Sequence, residues 1–326
     1  MAENKETRIT GIGSALVDIL INESDQFLID LGKTKGGMTL VEDIEIQQIL
    51  SKTPNTPIVV PGGAACNTIV GVGCLGGKAR FIGKRGKDVY GEAFEKQVIH
   101  CNVEPLVSIG QSPTGKVLSV VTPDAQRSMF TFLGASTELA PDSVTPDMFS
   151  QSAIVMIEGY LLFNEALMMA ALKAAKTAGA FISLDLASFE VVNATKPILE
   201  KIIQEYVDIL IANEDEAKAY TGFDDEQKAI KTLSRHVSYA ILKVGKRGSY
   251  VSHNGSITRI EPVIGKAPVD TTGAGDLWAA GFLFGIANDL SIEKSGQIAS
   301  ACGYEVCQVM GAQLPDDAWD RIKALI

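Results

Sequence analysis

Cysteine is scarce in this chain: Cys66, Cys74, Cys101, Cys302 and Cys307 are all it has in 326 residues, and no two of them form a CxxC pair. An odd, scattered set argues against a disulfide framework and against a cysteine-based zinc site, so the thiols are expected to be reduced and mostly packed, Cys302 and Cys307 among them. No apolar run reaches the roughly eighteen residues that a membrane-spanning helix needs. The opening Met1-Ala2-Glu3-Asn4-Lys5-Glu6 is polar rather than signal-like, so a cytoplasmic location is expected. Positive charge is in deficit, 29 Lys and Arg against 39 Asp and Glu for a formal charge of −10, which excludes the broad basic surface of a general nucleic-acid binder. Repeats, low-complexity tracts and linkers rich in Pro, Gly or Ser are also missing, so any division of the chain must come from topology. A dinucleotide fingerprint fails as well. Gly11-Ile12-Gly13 would need a third glycine where Leu16 stands, which disfavours a nicotinamide oxidoreductase.

What is present is globular: 46% hydrophobic and 21% charged residues, in a length that fits one large domain with an elaboration or two ordinary ones. Short apolar strands at 8–13, 58–60, 79–82, 154–157, 181–184, 209–212 and 240–244 alternate with helical patterns at 67–76, 92–100, 165–177, 215–220 and 276–287. That alternation predicts an α/β fold, a mostly parallel sheet covered on both faces. Two segments, 20–40 and 115–133, read as strands with no helix between them. In the second, 116–122 and 128–132 flank the turn Pro123-Asp124-Ala125-Gln126-Arg127 and predict a hairpin. A small β-sheet inserted from two places would form a lid.

The most informative stretch is Val269-Asp270-Thr271-Thr272-Gly273-Ala274-Gly275-Asp276, which leads into the apolar run Leu277-Trp278-Ala279-Ala280-Gly281-Phe282-Leu283-Phe284. Small residues at the start of a buried helix leave backbone N–H groups converging where an anion can sit. Asp276 stands beside that hole and is suited to accept a hydroxyl proton, so anion hole plus carboxylate points to phosphoryl transfer. The helix dipole favours its charged form, which predicts a weak base. A glycine-rich turn capped by an Asp remains the plain structural alternative.

These eight positions, with Pro61-Gly62-Gly63-Ala64-Ala65-Cys66-Asn67 upstream and the context from Ala79 to Gly91, resemble the signatures of the ribokinase and adenosine kinase family, the PfkB carbohydrate kinases. The resemblance covers nearly the whole chain. It implies a ribokinase-like (Rossmann-like) three-layer αβα domain with a small inserted β-sheet lid: one kinase domain over 1–326, its large part at 1–14, 42–106 and 135–326 and its lid at 15–41 and 107–134. The segment from Thr114 to Ser136 is most similar to the adenosine-kinase-like branch.

Site roles follow from the same resemblance. Asp276 would be the base, and the N–H groups of Gly273, Ala274 and Gly275 the anion hole. Asp18, Gly62, Gly63 and Asn67 would hold the acceptor's hydroxyls, and Arg127 in the lid would reach the transferring group. Asn213 and Glu216, the family's NxxE pattern in Asn213-Glu214-Asp215-Glu216, would arrange water around Mg²⁺ and the phosphates. Gly245 and Gly248, in Lys243-Val244-Gly245-Lys246-Arg247-Gly248, would lie against ATP, with Lys246 and Arg247 meeting phosphate or water, and Thr272 would join the nucleotide side. Asp270, Thr272 and Gly311 match positions that hold a monovalent cation in many relatives, which leaves K⁺ open. Each position also has a bland reading, as a cap, a turn or a solvated charge.

The expected function is ATP-dependent phosphorylation of a hydroxyl, taken as primary, on a sugar or nucleoside. Partners would be that small molecule and ATP, without nucleic acid or membrane, and the homodimer stays open. A sugar-phosphate kinase of the phosphofructokinase type and a catalytically silent sugar sensor are the alternatives. A nucleoside is placed slightly ahead because Met129, Phe130 and Phe132 in the hairpin could stack a purine. Against adenosine itself, Ser14 stands where adenosine kinases usually carry Asn, and Leu184-Asp185-Leu186-Ala187-Ser188-Phe189 departs from their usual run.

Overall fold

The structure, a computed structural model, describes residues 7–33, 35–124 and 126–326, so the polar opening segment and Ala125 of the hairpin turn lie outside it. In chain order its first half contains β1 (Arg8–Ile12), β2 (Leu16–Asn22), α1 (Asp25–Asp30), β3 (Met38–Leu40), α2 (Asp43–Leu50), β4 (Ile58–Gly62), α3 (Ala64–Cys74), β5 (Ala79–Arg85), α4 (Val89–His100), β6 (Val103–Ile109), β7 (Gly115–Val121) and β8 (Arg127–Phe132). The second half contains β9 (Ser152–Glu158), α5 (Glu165–Thr177), β10 (Phe181–Asp185), α6 (Phe189–Glu205), β11 (Ile209–Asn213), α7 (Glu214–Thr221), α8 (Glu226–Leu233), β12 (Tyr239–Lys243), β13 (Ser249–His253), β14 (Ser256–Ile260), α9 (Ala274–Ala287), α10 (Ile292–Val306) and α11 (Asp316–Lys323).

Nine strands form the main sheet in the order β14-β13-β12-β11-β10-β9-β1-β5-β6. Strands β12 to β6 along that order run parallel, and only β13 and β14 turn antiparallel at one edge. Burial on both faces explains the near-continuous apolar strands, such as Ile154–Ile157 of β9, which a one-sided sheet would have alternated with polar residues. One helical layer includes α3 and α9, with α10 packed against α9; the other includes α5 and α6. Helix α9 is buried along almost its whole length, from Leu277 to Ala287. A helix apolar all round has no solvent face, so its body is fixed in the interior while its partly exposed first turn opens onto a cavity.

The second sheet has the order β3-β8-β7-β2-β4. The expected hairpin is present, β7 pairing antiparallel with β8 from Lys116 opposite Phe132 to Val121 opposite Arg127. Three expectations change. The strand at 58–62 belongs to this sheet, pairing antiparallel with β2, and not to the large part. It is an edge strand, where Pro61 can sit although it lacks an N–H. Strand β6 runs to Ile109 within the main sheet, past the expected boundary at 107. The 20–40 segment does contain a helix, α1, whose N-cap Ser24 accepts a hydrogen bond from the Phe27 N–H.

Alternation along β8 corrects a further expectation. Met129, Thr131 and Leu133 line an open cavity, whereas Phe130 is buried and Phe132 packs beside the core, because successive strand residues face opposite ways. Two aromatic side chains expected to face a substrate therefore pack away from this cavity.

Candidate active site

Gly273 caps α9 with φ of +71°, a left-handed conformation that favours glycine, and a Cβ there would come within 2.7 Å of the Ala312 Cβ. The Ala274 N–H donates to the Thr271 carbonyl at 3.2 Å, so the turn itself uses this expected anion-hole donor. Gly275 and Asp276 follow in the first turn, where amides have no carbonyl one turn earlier in the helix to bond. The Asp276 carboxylate accepts from Asn67 Nδ2 at 2.9 Å, and its backbone carbonyl accepts from Thr68 Oγ1 at 3.2 Å. Burial pushes its carboxyl up to about 6; Asn67 and Lys243 oppose the rise, while Asp185 and Glu158 add to it. The weak base expected from the helix dipole is overturned: loss of water around a buried carboxylate outweighs the dipole, and the stronger base results.

Asp18 projects from β2, nearly buried, on the same face as Leu16. Gly62 lets it fit, because a Cβ at that position would stand 2.4 Å from the Asp18 Cγ. Gly63 has φ of +98° and approaches the Ser14 carbonyl, where a Cβ would be 2.3 Å away. Burial raises Asp18 to about 7, with Arg127 pulling down and Asp276 and Asp270 pushing up. Glu158 lies alongside, accepting from the Ser14 and Ala65 N–H groups at 2.8 and 3.1 Å.

Arg127 pairs with Asp270 at 3.7 Å. Asp270 also accepts from the Thr272 N–H and Oγ1 at 3.0 and 2.7 Å and from the Gly311 N–H at 2.9 Å. Burial alone would raise this carboxyl, but those donors and Arg127 hold it below its ordinary value. Thus Asp270, Thr272 and Gly311 do come together, but Gly311 presents an N–H donor and a guanidinium already faces the acid. These donors and Arg127 satisfy the Asp270 carboxylate.

On the opposite side, Asn213 caps α7 through a reciprocal pair: its Oδ1 accepts from the Glu216 N–H at 2.9 Å, while Glu216 accepts from the Asn213 N–H at 2.7 Å. Burial, helped by Asp185, raises Glu216 to about 7, against the pull of Lys243 and the bond from Asn213. Lys243, the last residue of β12, donates to Asp185 Oδ2 at 2.9 Å. Arg247, a candidate for phosphate, instead pairs with Glu214 and Glu226 and is exposed.

Two cavities flank this assembly. One, of about 700 Å³, is lined by Asp18, Gly63, Ser14 and Glu158 at its polar end and by apolar residues including Leu16 and Met129 elsewhere. The other, of about 500 Å³, is lined by Gly245, Lys246 and Gly248 with Ala274, Gly275 and Trp278. Asp276 lies between their linings, bonded to Asn67 one turn beyond Gly63 and directly following Gly275. Cys302 packs as expected, but Cys307 lines the smaller cavity. Sequence reasoning gave no role to Asp185, Lys243 or Glu158. The signal available for Lys243 was a lysine ending an otherwise apolar strand.

The description "pfkB family carbohydrate kinase" matches residues 37–319. The chain is 28% identical to a probable fructokinase-7 of Arabidopsis thaliana, covering 92% of this chain and 90% of that one. Its fold superposes on the adenosine kinase from Sinorhizobium meliloti with a TM-score of 0.88, at 31% identity over 98% of this chain and 99% of the other. A probable sugar kinase protein from Rhizobium etli CFN 42 superposes with a TM-score of 0.89, at 29% identity over 99% and 100% of the two chains.

Proposed function

The chain belongs to the pfkB family of carbohydrate kinases, and on that premise we propose that it transfers the γ-phosphoryl group of ATP to a primary hydroxyl of a nucleoside. The observation that carries this reading is the larger cavity, which has carboxylates at one end and a long apolar remainder. Asp18, set against Gly62 and close to Gly63, accepts hydrogen bonds from a pair of sugar hydroxyls. A free sugar would leave the face formed by Leu16, Val117, Met129 and Leu133 uncovered, whereas a flat heterocycle covers it. Met38 and Leu40 of β3 also line this cavity while 54% and 64% exposed, so the edge of the second sheet gains cover when a base is bound.

ATP occupies the smaller cavity, its adenine end by Pro262 and Val263 and its phosphates toward Gly275. The acceptor's oxygen attacks the γ-phosphorus, Asp276 takes the hydroxyl proton, and the bond from the γ-phosphorus to the β–γ bridging oxygen breaks with its electrons leaving on ADP. Asn67 holds Asp276 in place, and the amides of Gly275 and Asp276 stabilise charge on the phosphoryl oxygens. Arg127, on the second sheet beside Asp18 and Asp270, approaches that group as the sheet closes and water is excluded.

Mg²⁺ is a hard cation that keeps several waters, and Asn213 and Glu216, whose oxygens already accept from each other's N–H groups, would hold it through water. Bound there, Mg²⁺ neutralises phosphate charge.

A sugar-phosphate acceptor would need a cationic subsite, and among the described residues no Lys or Arg lines the larger cavity. The test is initial rate with ATP and adenosine, inosine, guanosine, ribose or fructose at matched concentration. Turnover of nucleosides is expected. Phosphorylation of free sugars alone would reduce Met129 and Leu133 to packing residues and return the chain to the sugar kinases.

A further inference from the structure

Lys243 opens the strand-end motif ahead of Gly245 and Gly248, yet the proposed mechanism gives it no role. Its Nζ lies at the C-terminal end of the parallel sheet, with only 15% of the side chain exposed. A Cβ placed on Gly275 would stand 3.0 Å from that Nζ, so the ammonium group rests against the first turn of α9 beside the anion-binding amides. Lys243 also lines the smaller cavity together with Gly245, Ala274 and Gly275. An ammonium taken out of water in this way is costly unless it is paired, and its present partner is Asp185 at 2.9 Å.

We propose that Lys243 is a catalytic residue that binds the γ-phosphoryl group of ATP, sharing its ammonium between Asp185 and the phosphoryl oxygens as transfer proceeds. The geometry favours this over simple neutralisation of Asp185. Lysine has three donors, and the bond to Asp185 occupies one, leaving others for the cavity where triphosphate must lie. Its position also sets a positive charge near Asp276, opposing the burial-driven rise of that carboxyl. Asp185 then acts as a positioning residue, holding the ammonium toward Gly275.

This inference rests on assigning the smaller cavity to ATP, and its test separates the two. Trp278, which lines that cavity, supplies the signal: quenching of tryptophan fluorescence by ATP and by ADP measures both affinities without turnover. Failure of the wild-type protein to bind either nucleotide sinks the cavity assignment itself. In Lys243→Met, binding of ATP should weaken by about tenfold or more while ADP binding stays within about twofold, and kcat should fall by about a hundredfold with the acceptor KM unchanged. Lys243→Arg should recover part of the ATP preference. The deciding variant is Lys243→Met combined with Asp185→Asn, which removes both charges. If Lys243 only neutralises Asp185, the double variant regains most of the activity and the proposal is overturned; if Lys243 binds the phosphoryl group, the double variant stays as slow as Lys243→Met. Equal loss of ATP and ADP affinity in Lys243→Met would also overturn it.

Discussion

Asn67 donates its side-chain N–H to the Asp276 carboxylate at 2.9 Å across a sequence separation of 209 residues, joining the first turn of α9 to α3. Each residue lies at the start of a helix in one layer of the main sheet, so their bond depends on how α3 packs against α9. Asp276 is thereby tied to the same helix whose N-cap, Gly63, lines the larger cavity. On the proposed mechanism, the orientations of the proton acceptor and of the acceptor hydroxyl are set together.

Replacing the base tests its role directly. Asp276→Asn keeps the size and can keep a bond to Asn67 but cannot accept the proton, so kcat should fall on the order of 10²-fold or more with both KM values nearly unchanged. Wild-type turnover in this variant would remove Asp276 from the chemistry.

The pH dependence follows from burial. Asp276 is raised to about 6 and Asp18 to about 7, and the proposed mechanism needs both as anions, one to take a proton and the other to accept hydroxyl bonds. Protonation disables each, so kcat/KM for the acceptor should decline as pH falls through 7 and more steeply below 6. A profile that stays flat down to pH 5 would contradict both assignments.

A single methyl group tests the fit around Asp18. In Gly62→Ala the new Cβ would lie 2.5 Å from both carboxylate oxygens, so Asp18 must turn away. The acceptor KM should rise by about tenfold, roughly the loss of one charged hydrogen bond, with ATP affinity unaltered. An unchanged acceptor KM shows that the hydroxyls are held elsewhere.

Stability should respond to Asp18 with the opposite sign from activity. Its pKa is raised from an ordinary value of 3.8 to about 7 in the fold, so between these values the folded state binds more protons than the unfolded state. Stability is therefore lost as pH rises through that window and the loss is complete above about 7. Asp18→Asn carries no charge to bury and should be more stable than wild type at pH 8, on the order of 2–4 kcal/mol, with little difference near pH 3.5. Denaturant unfolding at the two pH values measures this. Equal stability at pH 8 would mean that burial does not raise the Asp18 carboxyl in the fold.

Much of this protein was legible in its residue order. The alternation of short apolar strands with helical patterns determined the parallel α/β sheet, because strands buried on both faces cannot show polar alternation. The run from Gly273 to Asp276, ahead of an apolar stretch, determined where the start of the buried helix would fall, because a left-handed turn needs glycine. The strand at 58–62 was legible as a strand, but which sheet owned it depended on pairing with β2, a contact between distant segments that no local pattern encodes. Tertiary structure alone decided the charges. It set Asp276 among Asp185, Glu158 and Lys243, and Asp18 against Arg127, and the loss of water there reversed the base strength that the helix start by itself implied. It also turned Phe130 and Phe132 away from the cavity, since a strand's two faces are assigned only when one of them meets a core.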